Sequence, residues 1–99
     1  GALAGSRDEG VPAYRYLSHG RVQGGGYRYF TSREAESLGV AGFARNLPDG
    51  GVEVVAEAPE EALAALEARL REGPAFASVA SVDKAPISPR GVEMGFHIR

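Results

Sequence analysis

The alternation of apolar and polar positions predicts a strand, a helix and a hairpin in the first half of the chain. Aromatic and apolar residues alternate with polar ones over residues 14–19, which is typical of a half-buried strand. Over residues 27–38 the apolar side chains recur near the helical period, which predicts an amphipathic helix. Two β-prone segments, 40–47 and 52–57, then flank Pro48-Asp49-Gly50-Gly51, residues that favour a hairpin turn. Strands two and three are therefore expected to be antiparallel neighbours.

A second helix and two more strands are predicted in the second half. Pro59 precedes two glutamates that complement the positive end of a helix dipole, and an apolar stripe follows, made of Leu63, Leu66 and Leu70. Residues 76–84 are predicted to form a fourth strand and residues 94–98 a short fifth one. The intervening residues, which include Pro86, Pro89 and Gly91, are expected to form a loop.

The order of these elements defines the expected fold class. The arrangement βαββαβ with a short extra C-terminal strand predicts an α+β protein with a ferredoxin-like α/β sandwich. In that architecture two helices cover one face of an antiparallel sheet. Such folds carry many unrelated functions, so the fold alone leaves the activity open.

Composition narrows the class of protein. At 99 residues, with 43% apolar and 24% charged residues, the chain resembles a soluble globular domain. We expect residues 1–12 to form a flexible tail and residues 13–99 a single domain. The net charge of −2 argues against nucleic-acid binding, and the absence of cysteine excludes disulfides and a cysteine nucleophile. The apolar runs are too short for a membrane span, so a cytoplasmic location is expected.

A glycine-rich segment between the first strand and the first helix carries the clearest chemical signal. It runs from Gly20 through Gln23, Gly24, Gly25, Gly26 and Tyr27 to Arg28. The backbone N–H groups at a helix N-terminus lack partners within the helix and lie at the positive end of its dipole, so such a loop can bind an anion. Arg28 adds a planar, permanently charged group for the same anion.

Two motifs together resemble those of the acylphosphatase family. The first is Gly20-Arg21-Val22-Gln23-Gly24 followed by Gly26-Tyr27-Arg28, and the second is Gly42-Phe43-Ala44-Arg45-Asn46 followed by Gly50 and Val52. The resemblance extends over residues 14–98. It implies hydrolysis of a carboxyl-phosphate anhydride, with small acyl phosphates as substrates, inorganic phosphate as product and competitive inhibitor, no metal or organic cofactor, and a monomeric protein.

The resemblance also implies roles for individual residues. Arg28 corresponds to the family's phosphate-binding arginine, and Asn46 to the asparagine that orients the attacking water. The backbone amides of Gln23, Gly24, Gly25, Gly26 and Tyr27 correspond to the loop that holds the phosphoryl oxygens. An asparagine cannot serve as a general base near neutral pH, but its carbonyl can accept a hydrogen bond from water, so an orienting role is chemically reasonable.

Gly25 departs from the family pattern, which usually has valine at this position. A third consecutive glycine increases the entropy lost when the loop is ordered, by about 0.5–1 kcal/mol. The sequence therefore predicts weaker phosphate affinity or slower turnover than a valine-bearing relative would show.

Other functions compete with hydrolysis at the level of sequence. One is a catalytically weakened acylphosphatase-like domain that binds phosphate or a partner; another is a ferredoxin-like RNA-binding module, for which Phe43 offers a faint motif. His19 and His97 are expected to have surface or packing roles rather than to bind a metal. Arg21 and Arg45 are expected to be surface arginines. The four tyrosines are expected in the core: Tyr14, Tyr16, Tyr27 and Tyr29.

Overall fold

A computed structural model describes residues 11–24, 26–89, 91 and 94–99. Within these residues five strands and two helices follow one another: β1 (Ala13–Arg21), α1 (Tyr27–Leu38), β2 (Ala41–Asn46), β3 (Val52–Glu57), α2 (Glu60–Glu72), β4 (Ser78–Ile87) and β5 (Phe96–Ile98). The predicted order of elements is confirmed. The tail predicted for residues 1–12 lies almost entirely outside the described residues.

The strands form one sheet with the order β4-β1-β3-β2-β5. β1 runs antiparallel to both β3 and β4, and β2 runs antiparallel to β3, as predicted for the main sheet. β5 differs because it pairs in parallel with β2 through Gly42, Phe43 and Ala44. The chain leaves β4 at one edge and returns in the opposite direction at the other edge, where β2 already runs in that direction. The complete sheet is therefore mixed.

The core lies between the sheet and the two helices. Tyr16 of β1 and Val52 and Val54 of β3 are fully buried, and alternate positions along each strand face the helices. The predicted stripe of α2, made of Leu63, Leu66 and Leu70, is fully buried against them. Burial of apolar side chains at about 25 cal/mol per Å² is the main stabilisation of such a two-layer domain.

Two local predictions need correction. β4 begins at Ser78 and includes Pro86, for which the sequence predicts a loop. Proline is tolerated there because β4 is an edge strand, where a missing N–H removes no interior ladder bond. Tyr29 is 60% exposed rather than in the core, since it lies on the solvent side of α1. No helix among the described residues is long and apolar enough to cross a bilayer.

Candidate active site

The glycine loop turns the chain from β1 into α1. Gly24 has a φ of 83° and Gly26 a φ of 87°, values in the left-handed region that glycine adopts without a Cβ penalty. Gly26 is the N-cap residue of α1. Any other residue at Gly26 would strain the turn that presents the helix N-terminus. Gly25, the third member of the predicted cradle, lies outside the described residues.

The N-terminus of α1 carries no neutralising group of its own. Among the described residues, the first backbone hydrogen bond of the helix runs from Phe30 N–H to the Gly26 carbonyl at 2.9 Å. The N–H groups of Tyr27 and Arg28 are at the first two positions of the helix, where an N–H has no intrahelical acceptor. No side chain of the described residues caps this end of the helix, and its first turn has no acidic residue. Within the described part of the chain, the positive end of this helix dipole has no anionic partner, and such an end can bind an anion.

The side chain of Tyr27 fixes the first turn of α1 to the rest of the domain. Its buried hydroxyl donates a hydrogen bond to the Leu70 carbonyl of α2 at 2.8 Å. Since a tyrosine has one hydroxyl hydrogen, Ser18 Oγ of β1 must donate to Tyr27 Oη, at 2.9 Å. Burial raises the pKa of Tyr27, although the hydrogen bond from Ser18 acts in the opposite sense. Tyr27 can thus contribute to an anion site only through its backbone, and its ring anchors the turn.

Arg28 reaches across to the edge of the sheet. Its Nη1 donates to the backbone oxygen of Arg99 at 2.7 Å, and the N–H of Arg99 donates to the Ala44 carbonyl of β2 at 2.8 Å. A guanidinium has five N–H donors in a fixed plane, so this contact orients the group through one of its nitrogens. Arg28 therefore lies beside the end of β2, where the second motif is located.

Asn46 is the last residue of β2 and is exposed. Because side chains alternate along a strand, Asn46 is on the same face as the fully buried Ala44, which belongs to the core between sheet and helices. Asn46 thus lies at the rim of that core, on the face of the sheet where α1 packs. The two residues predicted to carry the chemistry, Arg28 and Asn46, belong to the same end of the domain.

Gln23 connects the glycine loop to the turn that follows Asn46. Its side-chain Nε2 donates to the Leu47 carbonyl at 2.8 Å and to the Gly51 carbonyl at 2.7 Å. The prediction for Gln23 concerns its backbone amide, and its side chain contacts the hairpin in addition. Its partners are 24 and 28 residues away in the chain, so spacing alone could not identify them.

The histidines and the other arginines near the two motifs are accounted for by contacts within the fold or by exposure at the surface. His19 pairs with Asp83 at 3.2 Å, and His97 Nε2 lies 3.2 Å from the Met94 carbonyl. In the part of the chain that the structure describes, no three histidine, aspartate or glutamate side chains are grouped as a metal site would require. Arg45 forms an ion pair with Glu53, and Arg21 is exposed.

The strand order and the two helices packed on one face of the sheet define a ferredoxin-like α+β domain. The family model for acylphosphatase matches residues 14–98, and the chain belongs to the acylphosphatase family. It is similar to a Thermus thermophilus acylphosphatase, with 47% identity over 88 residues that cover 89% of this chain and 99% of that protein. A Deinococcus radiodurans acylphosphatase is 49% identical over 82 residues, which cover 83% of this chain and 93% of that protein.

Solved structures agree with this assignment. The crystal structure of an acylphosphatase from Bacillus subtilis superimposes with a TM-score of 0.84 at 35% identity, covering 89% of this chain and 98% of that chain. The chain is therefore an enzyme that hydrolyses acyl phosphates. An RNA-binding module or an inactive binding domain is not favoured.

Proposed function

We propose that the glycine loop and Arg28 hold the phosphoryl group of the acyl phosphate while Asn46 orients the attacking water. The loop contribution comes from the backbone N–H groups of residues 23–27. One observation supports this division most strongly: Gln23 bonds to Leu47, the residue after Asn46, at 2.8 Å. The anion-binding loop and the asparagine are thereby linked by a single side chain.

The chemistry of the reaction suits this set of residues. The water oxygen forms a bond to phosphorus while the bond from phosphorus to the acyl oxygen breaks, and the carboxylate departs. Charge on the equatorial phosphoryl oxygens is stabilised by Arg28 and by the amides of the α1 N-terminus. The carboxylate is a good leaving group, and a phosphate oxygen can take the proton of the water. Positioning and charge stabilisation are thus the main requirements, so we propose that the reaction needs no metal or organic cofactor.

Asn46 has the properties that an orienting residue needs. Its side-chain carbonyl can accept a hydrogen bond from water, and its amide can donate one to a phosphoryl oxygen. Its position at the end of β2 is set by the ladder that pairs it with Val52 of β3. A residue on a strand keeps a water in line more reproducibly than one on a free loop.

Further properties follow from a site of this size. Inorganic phosphate, the product, retains the groups that the cradle would contact, so it is proposed as a competitive inhibitor. We also propose that the enzyme acts as a cytoplasmic monomer.

The assignment of Arg28 is tested by hydrolysis of benzoyl phosphate in the presence of a chelator. Arg28→Ala is expected to lower kcat/KM by about 10²–10³-fold, as is typical when one well-aimed donor is removed. It should also abolish inhibition by phosphate. The matched control is Arg33→Ala, an exposed arginine further along α1, which should keep the parent activity. Equal losses in the two variants would contradict the role of Arg28.

A further inference from the structure

The sheet ladder stops short of the turn that follows Asn46. The last pairs of β3 join Val52 to Ser18 of β1 and to Asn46 of β2. Beyond them lies the turn 47–51, which is closed internally by hydrogen bonds from Leu47 N–H to the Gly51 carbonyl and from Gly50 N–H to the Leu47 carbonyl. The sheet ladder therefore fixes the chain up to Asn46, whereas the position of the chain after Asn46 depends on the contacts of the turn.

Gln23 supplies such a contact with both hydrogens of its amide group. The acceptors are the carbonyls that close the turn, those of Leu47 and Gly51, at 2.8 and 2.7 Å. Each carbonyl oxygen also accepts a backbone hydrogen bond within the turn. Each thus takes two hydrogen bonds, which matches its two lone pairs. Since carbonyl oxygens only accept, the amide nitrogen rather than the amide oxygen must face them.

Close packing holds the same turn against β1. A Cβ on Gly51 would lie 2.9 Å from the Ser18 carbonyl, closer than real Cβ atoms approach. Gly51 thus allows the turn to lie directly against the strand that leads into the glycine loop. The turn also has an internal contact, from Gly51 N–H to Asp49 Oδ1 at 2.8 Å, which does not involve the loop.

We propose that Gln23 is a positioning residue that sets the distance between the bound phosphoryl group and the water on Asn46. This inference rests on the proposed roles of the cradle and of Asn46. The backbone of Gln23 belongs to the loop, and its side chain holds the peptide that follows Asn46. A displacement of either part is transmitted to the other, so the water stays in line with the bond that breaks.

The physical consequence is an effect on turnover rather than on binding. The cradle amides and Arg28 hold phosphate whether or not Asn46 is correctly placed. A displacement of about 1 Å in the attacking group can lower a rate by about 10²-fold. Loss of the Gln23 contacts should therefore lower kcat much more than it weakens the inhibition constant Ki for phosphate.

The test uses Gln23→Met, which keeps an unbranched side chain of similar length but has no donor. We expect kcat for benzoyl phosphate to fall by about 10–100-fold and Ki for phosphate to change by less than about 3-fold. Asp49→Ala is the matched control, because it removes a contact of the same turn and leaves Gln23 in place; it should keep kcat within about 3-fold of the parent. If the methionine variant folds poorly, Gln23→Asn replaces it in the test. Its amide is too short to reach both carbonyls, so it should show the same pattern with a smaller loss of kcat.

A double-mutant cycle with Asn46→Ala distinguishes positioning from general destabilisation. If Gln23 acts through Asn46, Gln23→Met should lower kcat by less than about 3-fold once Asn46 is absent. An undiminished loss in that background, or equal changes in kcat and Ki, would overturn the inference while leaving the roles of Arg28 and Asn46 intact. Parent-like kcat in Asn46→Ala itself would refute the proposed function instead, and the positioning role with it.

Discussion

The two helices of this domain begin in opposite ways. α2 starts after Pro59 and carries Glu60 and Glu61 in its first turn, so its own carboxylates offset the positive end of its dipole. α1 starts after Gly26 and has no acidic residue in its first turn, and among the described residues neither helix has a side-chain cap. The positive helix end is thus offset by nearby carboxylates in α2, whereas the described residues place no carboxylate in the first turn of α1.

The start of α1 is less favourable for helix stability than the start of α2, and this is consistent with a role in substrate binding. A glycine at the N-cap stabilises a helix less than serine or aspartate does, by about a few tenths of a kcal/mol, and the left-handed backbone of Gly26 disfavours both of those residues at this position. In α1 the missing interaction is available to the phosphoryl group of the substrate. The open end is held instead by Tyr27, whose hydroxyl links it to Ser18 and to the Leu70 carbonyl.

Among the variants at the two helix ends, the largest change in the free energy of unfolding is expected from removal of the Tyr27 hydroxyl. Tyr27→Phe leaves the buried Leu70 carbonyl and Ser18 hydroxyl without their partner, so the free energy of unfolding should fall by about 1–3 kcal/mol. Tyr14 is the matched tyrosine at α2, where its exposed hydroxyl donates to Glu60 at 2.9 Å. In a urea denaturation experiment, Tyr14→Phe should lower the free energy of unfolding by less than Tyr27→Phe does. A larger loss for Tyr14→Phe would mean that the anchoring of α1 has been misinterpreted.

A smaller effect is expected when α1 is given the acidic first turn that α2 has. Tyr29 is exposed in the first turn, and Tyr29→Glu would place a carboxylate near the proposed phosphate cradle. We expect Ki for phosphate to rise by about 3–10-fold and the free energy of unfolding to rise by about 0.3–1 kcal/mol. Tyr29→Gln controls for loss of the ring. The same Ki in the two variants would show that the dipole end does not bind phosphate.

The smallest effect is expected at the neutralised end. Glu61→Gln removes one carboxylate from the first turn of α2, which should lower the free energy of unfolding by about 0.3–1 kcal/mol and leave kcat/KM unchanged. Glu72→Gln, at the C-terminal end of the same helix, should not destabilise the protein. Thermal denaturation at low ionic strength measures both, and equal destabilisation would exclude a dipole effect.

Sequence patterns predict elements well where glycine or proline marks both ends. The bounds of α1 and β3 agree with the structure because Gly26, Gly39 and Gly51 punctuate them. The end of β4 was predicted less well, since Pro86 is compatible with a loop and with an edge strand, and only the strand order decides between them. The parallel pairing of β5 likewise depends on which edge it joins.

In the candidate site, too, local sequence patterns identify some features, and others depend on the tertiary structure. Arg28 and Asn46 could be selected by residue type and motif, but their supporting contacts could not. Arg28 bonds to Arg99, 71 residues away, and Gln23 bonds to carbonyls that only the folded hairpin brings near it. Such contacts depend on tertiary geometry, which no local pattern encodes.

The division of labour between binding and turnover is tested most directly by Asn46→Ala, assayed for both properties on the same preparation. The proposed roles predict that kcat for benzoyl phosphate falls by about 10²-fold or more, since the attacking water loses its orientation. They predict that Ki for phosphate stays within about 3-fold of the parent, because the α1 N-terminus and Arg28 are unchanged. A variant with near-parent kcat, or one that loses phosphate binding together with turnover, would contradict them.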